Sequence, residues 1–263
     1  MPSDRPRPID VFAADRLAVQ VFATREEMGL AAGLDAIEQI AALSRRAEFV
    51  RMIFAAAPSQ NEFLATLAAS READWGRVHA FHMDEYVGLA PGAPQRFGTF
   101  LRDRLFGKVA LANVEYLDGS ASDALAECER YAELLSRAPI DIVCAGVGEN
   151  GHMAFNDPHV ADFGDAAAVK PVTLDQTCRL QQVHDGAFPD LDAVPKQALT
   201  LTMPTLMSAQ WLYCMVPGKT KAEAVRRTIL GSISTECPAT IMKRHAHATL
   251  YLDRESAALL DRI

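Results

Sequence analysis

The chain has 263 residues, enough for one large domain or two small ones, and its 49% hydrophobic and 23% charged content fits a soluble globular protein that buries a core without staples. A formal net charge of −8, with lysines and arginines scattered, excludes a nucleic-acid binder working through a basic face, so an anionic ligand has to be held by a local site. Five cysteines, odd in number, far apart and without a CxxC pair, exclude a disulfide framework or a clustered zinc site and favour a reducing compartment.

In chain order, MPSDRPRPIDVF has no apolar core of a secretory signal, and no run of 18 apolar residues follows anywhere, so a cytoplasmic protein without a membrane partner is expected. Leu17 to Thr24 reads as a strand. A helix follows, with Leu30, Leu34, Ile37 and Ala41 on one face and a capping box of Thr24 with Glu27 at its start. Phe49 to Ala57 is the next strand, then a helix from about Gln60 to Ser70, a strand from Val78 to Met83, and a helical stretch from Phe97 to Phe106. A short strand at Val114 to Leu117 precedes a helix from Asp123 to Arg137. Ile140 to Ala145 reads as a fully buried strand. Strands are expected again at Val169 to Leu174, Ala198 to Met203, Trp211 to Val216 and Thr249 to Leu252. A helix at Lys221 to Leu230 falls among these, and a short one closes the chain. Strand–helix alternation predicts an α/β fold with one mostly parallel sheet covered on both faces, residues 1–263 forming a single domain. The irregular stretch Asn156 to Ala167 is expected to be a surface loop or part of a lid.

Ligands of open α/β sheets collect at the carboxyl ends of the strands, which selects four stretches. "GVGENGHMAFNDP", Gly146 to Pro158, contains a GxGxxG, but "HMAFNDP" is a poor helix start, so the dinucleotide reading lacks the helix N-terminus it needs. As a catalytic loop it offers His152 as acid or base, Asp157 to orient the ring, and glycines such as Gly148 and Gly151 that let a substrate approach the backbone. A bland surface loop is the alternative. "FHMDEYVGL" puts Asp84 and Glu85 directly after a strand, either a carboxylate pair with raised pKa or a charged turn. "APSQNEF" has Ser59 and Glu62 in capping-box spacing at a helix start that also suits phosphate. In "VPGKTKAEAV", Thr220 and Glu223 repeat that spacing. Lys219 and Lys221 there sit at the helix end where cations are disfavoured, and a bound anion would supply a reason.

Together these stretches, with "PQRFGTFL" between them, resemble the glucosamine-6-phosphate deaminase/isomerase family in order and spacing over almost the whole chain. The resemblance implies a Rossmann-like three-layer α/β sandwich of the sugar-phosphate isomerase type, related to 6-phosphogluconolactonases. It implies conversion of glucosamine 6-phosphate and water to fructose 6-phosphate and ammonia without metal or nucleotide. The partner is then a small sugar phosphate, with a homo-oligomer possible in the family. Carried over, Asp84 moves the proton between C2 and C1 through a cis-enolamine, and His152 opens the pyranose ring. Asp157 stands where the family has a glutamate that positions this histidine, Asn150 where it has Asp or Asn, and Lys221 where it has the phosphate lysine. Departures are equally plain. Ser59, Gln60 and Asn61 replace a glycine-containing phosphate loop, and His184 falls where a lid arginine grips the phosphate, with Arg179 matching a different arginine. Asp157 is one methylene shorter than glutamate. Alternatives are a sugar-phosphate isomerase that releases no ammonia and a lactonase, whose loop resembles GHxASLFP where this chain has "GHMAFNDP". A sugar-phosphate-sensing module is a further alternative, expected to carry a DNA-binding unit and to have lost Asp84 and His152.

Overall fold

The computed structural model describes residues 5–261, so the first four residues of the opening stretch and the last two of the chain lie outside the described residues. Strands β1 (Asp10–Ala14), β2 (Leu17–Phe22), β3 (Val50–Phe54), β4 (Val78–His82), β6 (Asn113–Glu115), β7 (Ile142–Ala145), β10 (Trp211–Val216) and β11 (Ala248–Asp253) form an eight-stranded sheet in the order β1-β2-β11-β10-β7-β3-β4-β6. All its neighbours pair in parallel except the β1–β2 hairpin at one edge. The expected strands in this sheet are all present. Strand β1 was not anticipated, because its alternating, half-exposed residues carry little apolar signal.

The central strands are short, apolar and buried on both sides. Their period of two sends neighbours to opposite faces. Met52 and Phe54 pack with Phe22, Tyr213 and Met215 under helices α1 (Arg25–Ser44) and α2 (Asn61–Ala69). Ile53 packs with Val143, Leu212 and Cys214 on the other face, against α4 (Ala124–Ser136) and α7 (Ala222–Leu230). Helix α1 buries Met28, Ala32, Ala36 and Ile40, a face rotated from the one expected; of the expected four, Ile37 is buried, and Leu30, Leu34 and Ala41 are half-buried. The cause is close packing on α2: a Cβ at Gly29 would stand 2.4 Å from Glu62 Cβ, and one at Gly33 2.5 Å from Thr66 Cγ2.

One mostly parallel sheet was expected, but a second is present. Strands β5 (Asp84–Tyr86), β9 (Gln197–Leu201) and β8 (Val169–Thr173) make a three-stranded antiparallel sheet in the order β5-β9-β8, with Asp84 opposite Thr200. Helix α5 (Gln176–His184) follows β8 and was also unanticipated, its sequence being too polar for a hydrophobic stripe. Helix α6 (Met203–Met207) follows β9, and α3 (Phe97–Leu101) runs into a π-turn at Arg102–Phe106. After β11 the chain makes turns at residues 254–259 in place of the expected terminal helix. No helix among the described residues is long and apolar enough to cross a membrane.

Candidate active site

A cleft of about 180 Å³ opens between the carboxyl ends of the main sheet's strands, the small sheet and α5. Ser59 and Gln60 reach it from the turn after β3, Asp84 from β5, Gly148 and His152 from the loop after β7, and Lys221 from the turn after β10. These six sequence-selected residues therefore share one site.

His152 is buried and held from behind. Its Nδ1 lies 2.7 Å from Asn150 Oδ1 and 3.0 Å from Asp157 Oδ1, two acceptors, so Nδ1 carries the proton and the neutral ring keeps a lone pair on Nε2. Asn150 is fixed in turn: its Nδ2 donates to Asp157 Oδ1 at 2.9 Å and to Asp175 Oδ2 at 3.1 Å, and its Oδ1 accepts the His152 amide at 3.0 Å. Burial alone would raise the Asp157 carboxyl. The hydrogen bond from His152 and, whenever that ring is protonated, its charge, with the bonds from Asn150 and the Asp175 amide, outweigh it and hold Asp157 below the usual carboxylate range. The shorter Asp157 thus reaches His152 directly. Asn150 and Asp157 stand behind the histidine and do not line the cleft.

The glycines of the GxGxxG shape this turn. A Cβ at Gly148 would stand 2.1 Å from His152 Cε1, so the imidazole lies flat against that backbone. Gly151 has φ +90° and a Cβ there would meet Cys237 Sγ at 2.5 Å. No helix opens within the glycines; a short Met153–Asn156 bridge follows, and Ala154 takes a left-handed φ of 50°.

The two adjacent carboxylates diverge, as strand alternation requires. Asp84 lines the cleft at 6% exposure, and burial, reinforced by the Glu85 charge, pushes its carboxyl well above the ordinary range. Glu85 turns away. Its Oε1 accepts the Tyr86 and Phe97 amides at 2.9 and 3.1 Å, its Oε2 accepts the Gly98 amide at 3.1 Å, and Arg96 Nε lies 3.5 Å off, so it caps α3.

Lys221 is 5% exposed, and burial lowers its ammonium pKa against the pull of Asp185 and Glu149. The capping boxes expected at Ser59/Glu62 and Thr220/Glu223 do not form. A 3₁₀ turn precedes each helix, the cap positions fall on Gln60 and Lys221 with no side-chain cap bond, and Glu62 and Glu223 pair instead with Arg25 and Arg226. Of the other selected residues, Asn61 Oδ1 accepts from Arg104 Nε at 2.7 Å. His184 sits on α5 with its side chain 57% exposed, 3.5 Å from Glu149. Neither lines the cleft, nor do Glu85 and Gly151. Sequence reasoning missed Arg25, the α5 residues Gln181 and Gln182, and Asp185 just past that helix, which do. Arg25 opens a helix straight after β2, the same misplaced cation that drew attention to Lys221, and Asp175 capping Cys178 N at 2.6 Å was the available signal for α5.

Among the described residues, His152, Asp157 and Cys178 place possible metal-ligand atoms within 4.8 Å of one another, as do Asp157, His159 and Asp175. In the first group His152 Nδ1 and Asp157 already bond each other, and burial together with Asp157 and Asp175 pushes the Cys178 thiol up, so it is a poor thiolate donor.

A mostly parallel α/β sheet, with a buried carboxyl and a histidine meeting in a cleft at its carboxyl edge, is a Rossmann-like fold of the sugar-phosphate isomerase type. The chain belongs to the glucosamine-6-phosphate isomerase/6-phosphogluconolactonase family, whose model matches residues 23–251. It is 35% identical over 202 residues to a glucosamine-6-phosphate deaminase of Listeria monocytogenes, covering 77% of this chain and 84% of that protein. A solved monomeric glucosamine-6-phosphate deaminase of the NagB superfamily superposes with a TM-score of 0.83 at 29% identity, over 92% of this chain and 99% of that one. The 6-phosphogluconolactonase of Thermotoga maritima superposes at 0.72 with 17% identity, over 89% and 98%, a likeness of fold.

Proposed function

We propose that the chain converts glucosamine 6-phosphate and water into fructose 6-phosphate and ammonia. The observation that carries this reading is the pairing, in one cleft, of a buried carboxyl of raised pKa, Asp84, with a histidine whose tautomer is fixed by Asp157 and Asn150. The kinship with deaminases, at 35% identity to the Listeria protein, supports the same substrate.

In this mechanism Nε2 of His152 takes the anomeric hydroxyl proton and returns it to the ring oxygen, opening the pyranose. Asp84, ionised, removes the proton from C2 of the open aldehyde while the substrate's ammonium gives one proton to O1, forming a cis-enolamine, and Asp84 then delivers its proton to C1, leaving a protonated ketimine at C2. Water adds to C2, and ammonia departs with the C2–N bond pair to leave the ketose. Asp157 and Asn150 hold His152 so that Nε2 remains the basic nitrogen throughout. No step needs an electron acceptor or a metal.

Ammonia release from glucosamine 6-phosphate tests the reading, with galactosamine 6-phosphate, unphosphorylated glucosamine and 6-phosphogluconolactone alongside. Asp84→Asn is expected to abolish exchange of the C2 proton with solvent, and His152→Gln to slow ring opening most. Failure to release ammonia from any aminosugar, or an Asp84→Asn protein with near-wild-type turnover, refutes it.

A further inference from the structure

Three buried polar atoms that line or adjoin the cleft have no hydrogen-bond partner among the described residues: Arg25 Nε, Gln60 Oε1 and Lys221 Nζ. Gln60 is 1% exposed and Lys221 5%. Buried polar groups are nearly always satisfied, so three orphans in residues lining one cleft describe the ligand it takes. Gln60 is held across the ends of two central strands, its Nε2 3.2 Å from Ser59 Oγ and 3.4 Å from both the Ala145 and Met215 carbonyls, which leaves Oε1 asking for a donor such as a sugar hydroxyl. The other two are donors on cations and ask for an anion. Arg25 is braced for this: its NH2 nitrogen donates to the Pro58 carbonyl and to Glu62 Oε2, both at 2.8 Å, which orients the guanidinium and leaves Nε unused.

We propose that Arg25 is the second cation of the anion subsite, holding the substrate's phosphate together with Lys221 while Gln60 accepts from a sugar hydroxyl. This rests on the aminosugar-phosphate reading and names the group that confers its preference for a phosphorylated sugar. It accounts for the two cations at helix starts after β2 and β10, where a lone cation is disfavoured by the helix dipole but a cation–anion pair is not. It accounts also for a turn after β3 whose glutamine fills the space at Gly146, where a Cβ would stand 3.0 Å from Gln60 Nε2. In that crowded turn, anion binding passes from backbone amides to side chains.

The test measures inorganic phosphate binding by calorimetry and, in parallel, KM for glucosamine 6-phosphate. Arg25→Ala is expected to weaken phosphate about 10- to 100-fold, the worth of one or two charge-assisted hydrogen bonds, and to raise KM by a similar factor with kcat changed far less. Glu62→Gln removes the ion pair but leaves the guanidinium, and is expected to bind phosphate as well as wild type or better. Melting temperatures establish that both variants fold. The proposal is overturned if Arg25→Ala binds phosphate as wild type does. It is overturned equally if Glu62→Gln loses as much as Arg25→Ala, which makes Arg25 structural, or if wild type binds no phosphate. Phosphate binding that depends on Arg25 without ammonia release refutes the deaminase reading and leaves this one standing; ammonia release with Arg25-independent KM does the reverse.

Discussion

Gly148→Ala is the sharpest probe of the His152 geometry. The residue's backbone lies outside the left-handed region, so alanine meets no conformational penalty there, and the perturbation is a single methyl group. That methyl would stand 2.1 Å from His152 Cε1, 2.2 Å from Nε2 and 2.4 Å from Nδ1. Carbon–carbon contacts settle at about 3.5 Å, so ring or loop must give by roughly 1.4 Å. The turn resists, being closed by the Gly148 amide donating to the His152 carbonyl at 2.9 Å and the Gly151 amide to the Gly148 carbonyl at 2.9 Å. The ring therefore moves, and the Nδ1 contact with Asp157, now 3.0 Å, stretches past hydrogen-bond length. A catalytic group misplaced by about 1 Å costs on the order of 100-fold, or about 2.7 kcal/mol of transition-state stabilisation. In a coupled assay of ammonia release, Gly148→Ala should lower kcat/KM by about that factor, with a melting temperature close to wild type. A variant within twofold of wild type would show that the imidazole is not held where the reaction needs it.

With Asp84 as the base, kcat/KM should rise with pH along a limb displaced above the ordinary aspartate value of about 3.9, because burial and then the Glu85 charge raise its carboxyl; Glu85→Gln should move that limb to lower pH. Asp157 is shifted the other way. Its folded pKa lies below its unfolded one, so its pairing contributes stability fully present above about pH 4 and lost as pH falls through the folded value. Asp157→Asn should remove that acid dependence in a pH series of melting curves and lower kcat about 10- to 100-fold. Thr200→Val, an isosteric change at a fully buried site, leaves the Phe155 amide without its 3.0 Å acceptor and should cost about 1–3 kcal/mol of unfolding free energy and lower kcat, while Thr200→Ser restores both.

What could be read from the sequence follows from where each element takes its information. Strands β7 and β10, and β3 apart from Arg51, are apolar runs buried by the sheet itself, and such runs announce themselves. Strand β5 is the tripeptide Asp-Glu-Tyr, and it is a strand because β9 pairs with it, a fact no local pattern carries. Helix α5 has the composition of a surface loop and covers the cleft through Gln181 and Gln182, with Gln182 Oε1 accepting from Tyr86 at 2.7 Å. The capping boxes divide the same way. Thr24 forms its bond to the Glu27 amide at 3.2 Å, whereas Pro58 and Gly218 start 3₁₀ turns ahead of α2 and α7 and displace the other two. The side chains with chemistry were legible at strand ends. Their division into cleft-facing Asp84 and cap-forming Glu85 needed the second sheet.

Strand β9 ties the two halves of the proposed acid–base pair together. Thr200 stands opposite Asp84 in the ladder, and its hydroxyl oxygen accepts the Phe155 amide, three residues beyond His152. The next residue, Leu201, gives its carbonyl to Asn156 Nδ2 at 2.8 Å, immediately before Asp157. Two consecutive residues of one strand thus register the base against the loop carrying the histidine and its carboxylate. A slip of one residue between β5 and β9 would turn Asp84 out of the cleft and Glu85 into it. The backbone amides that Glu85 caps at α3 oppose that slip, since it would leave Phe97 N and Gly98 N without their acceptor. The second carboxylate, turned away from the cleft, thus fixes the register that keeps the first one, the base of the proposed mechanism, facing into it.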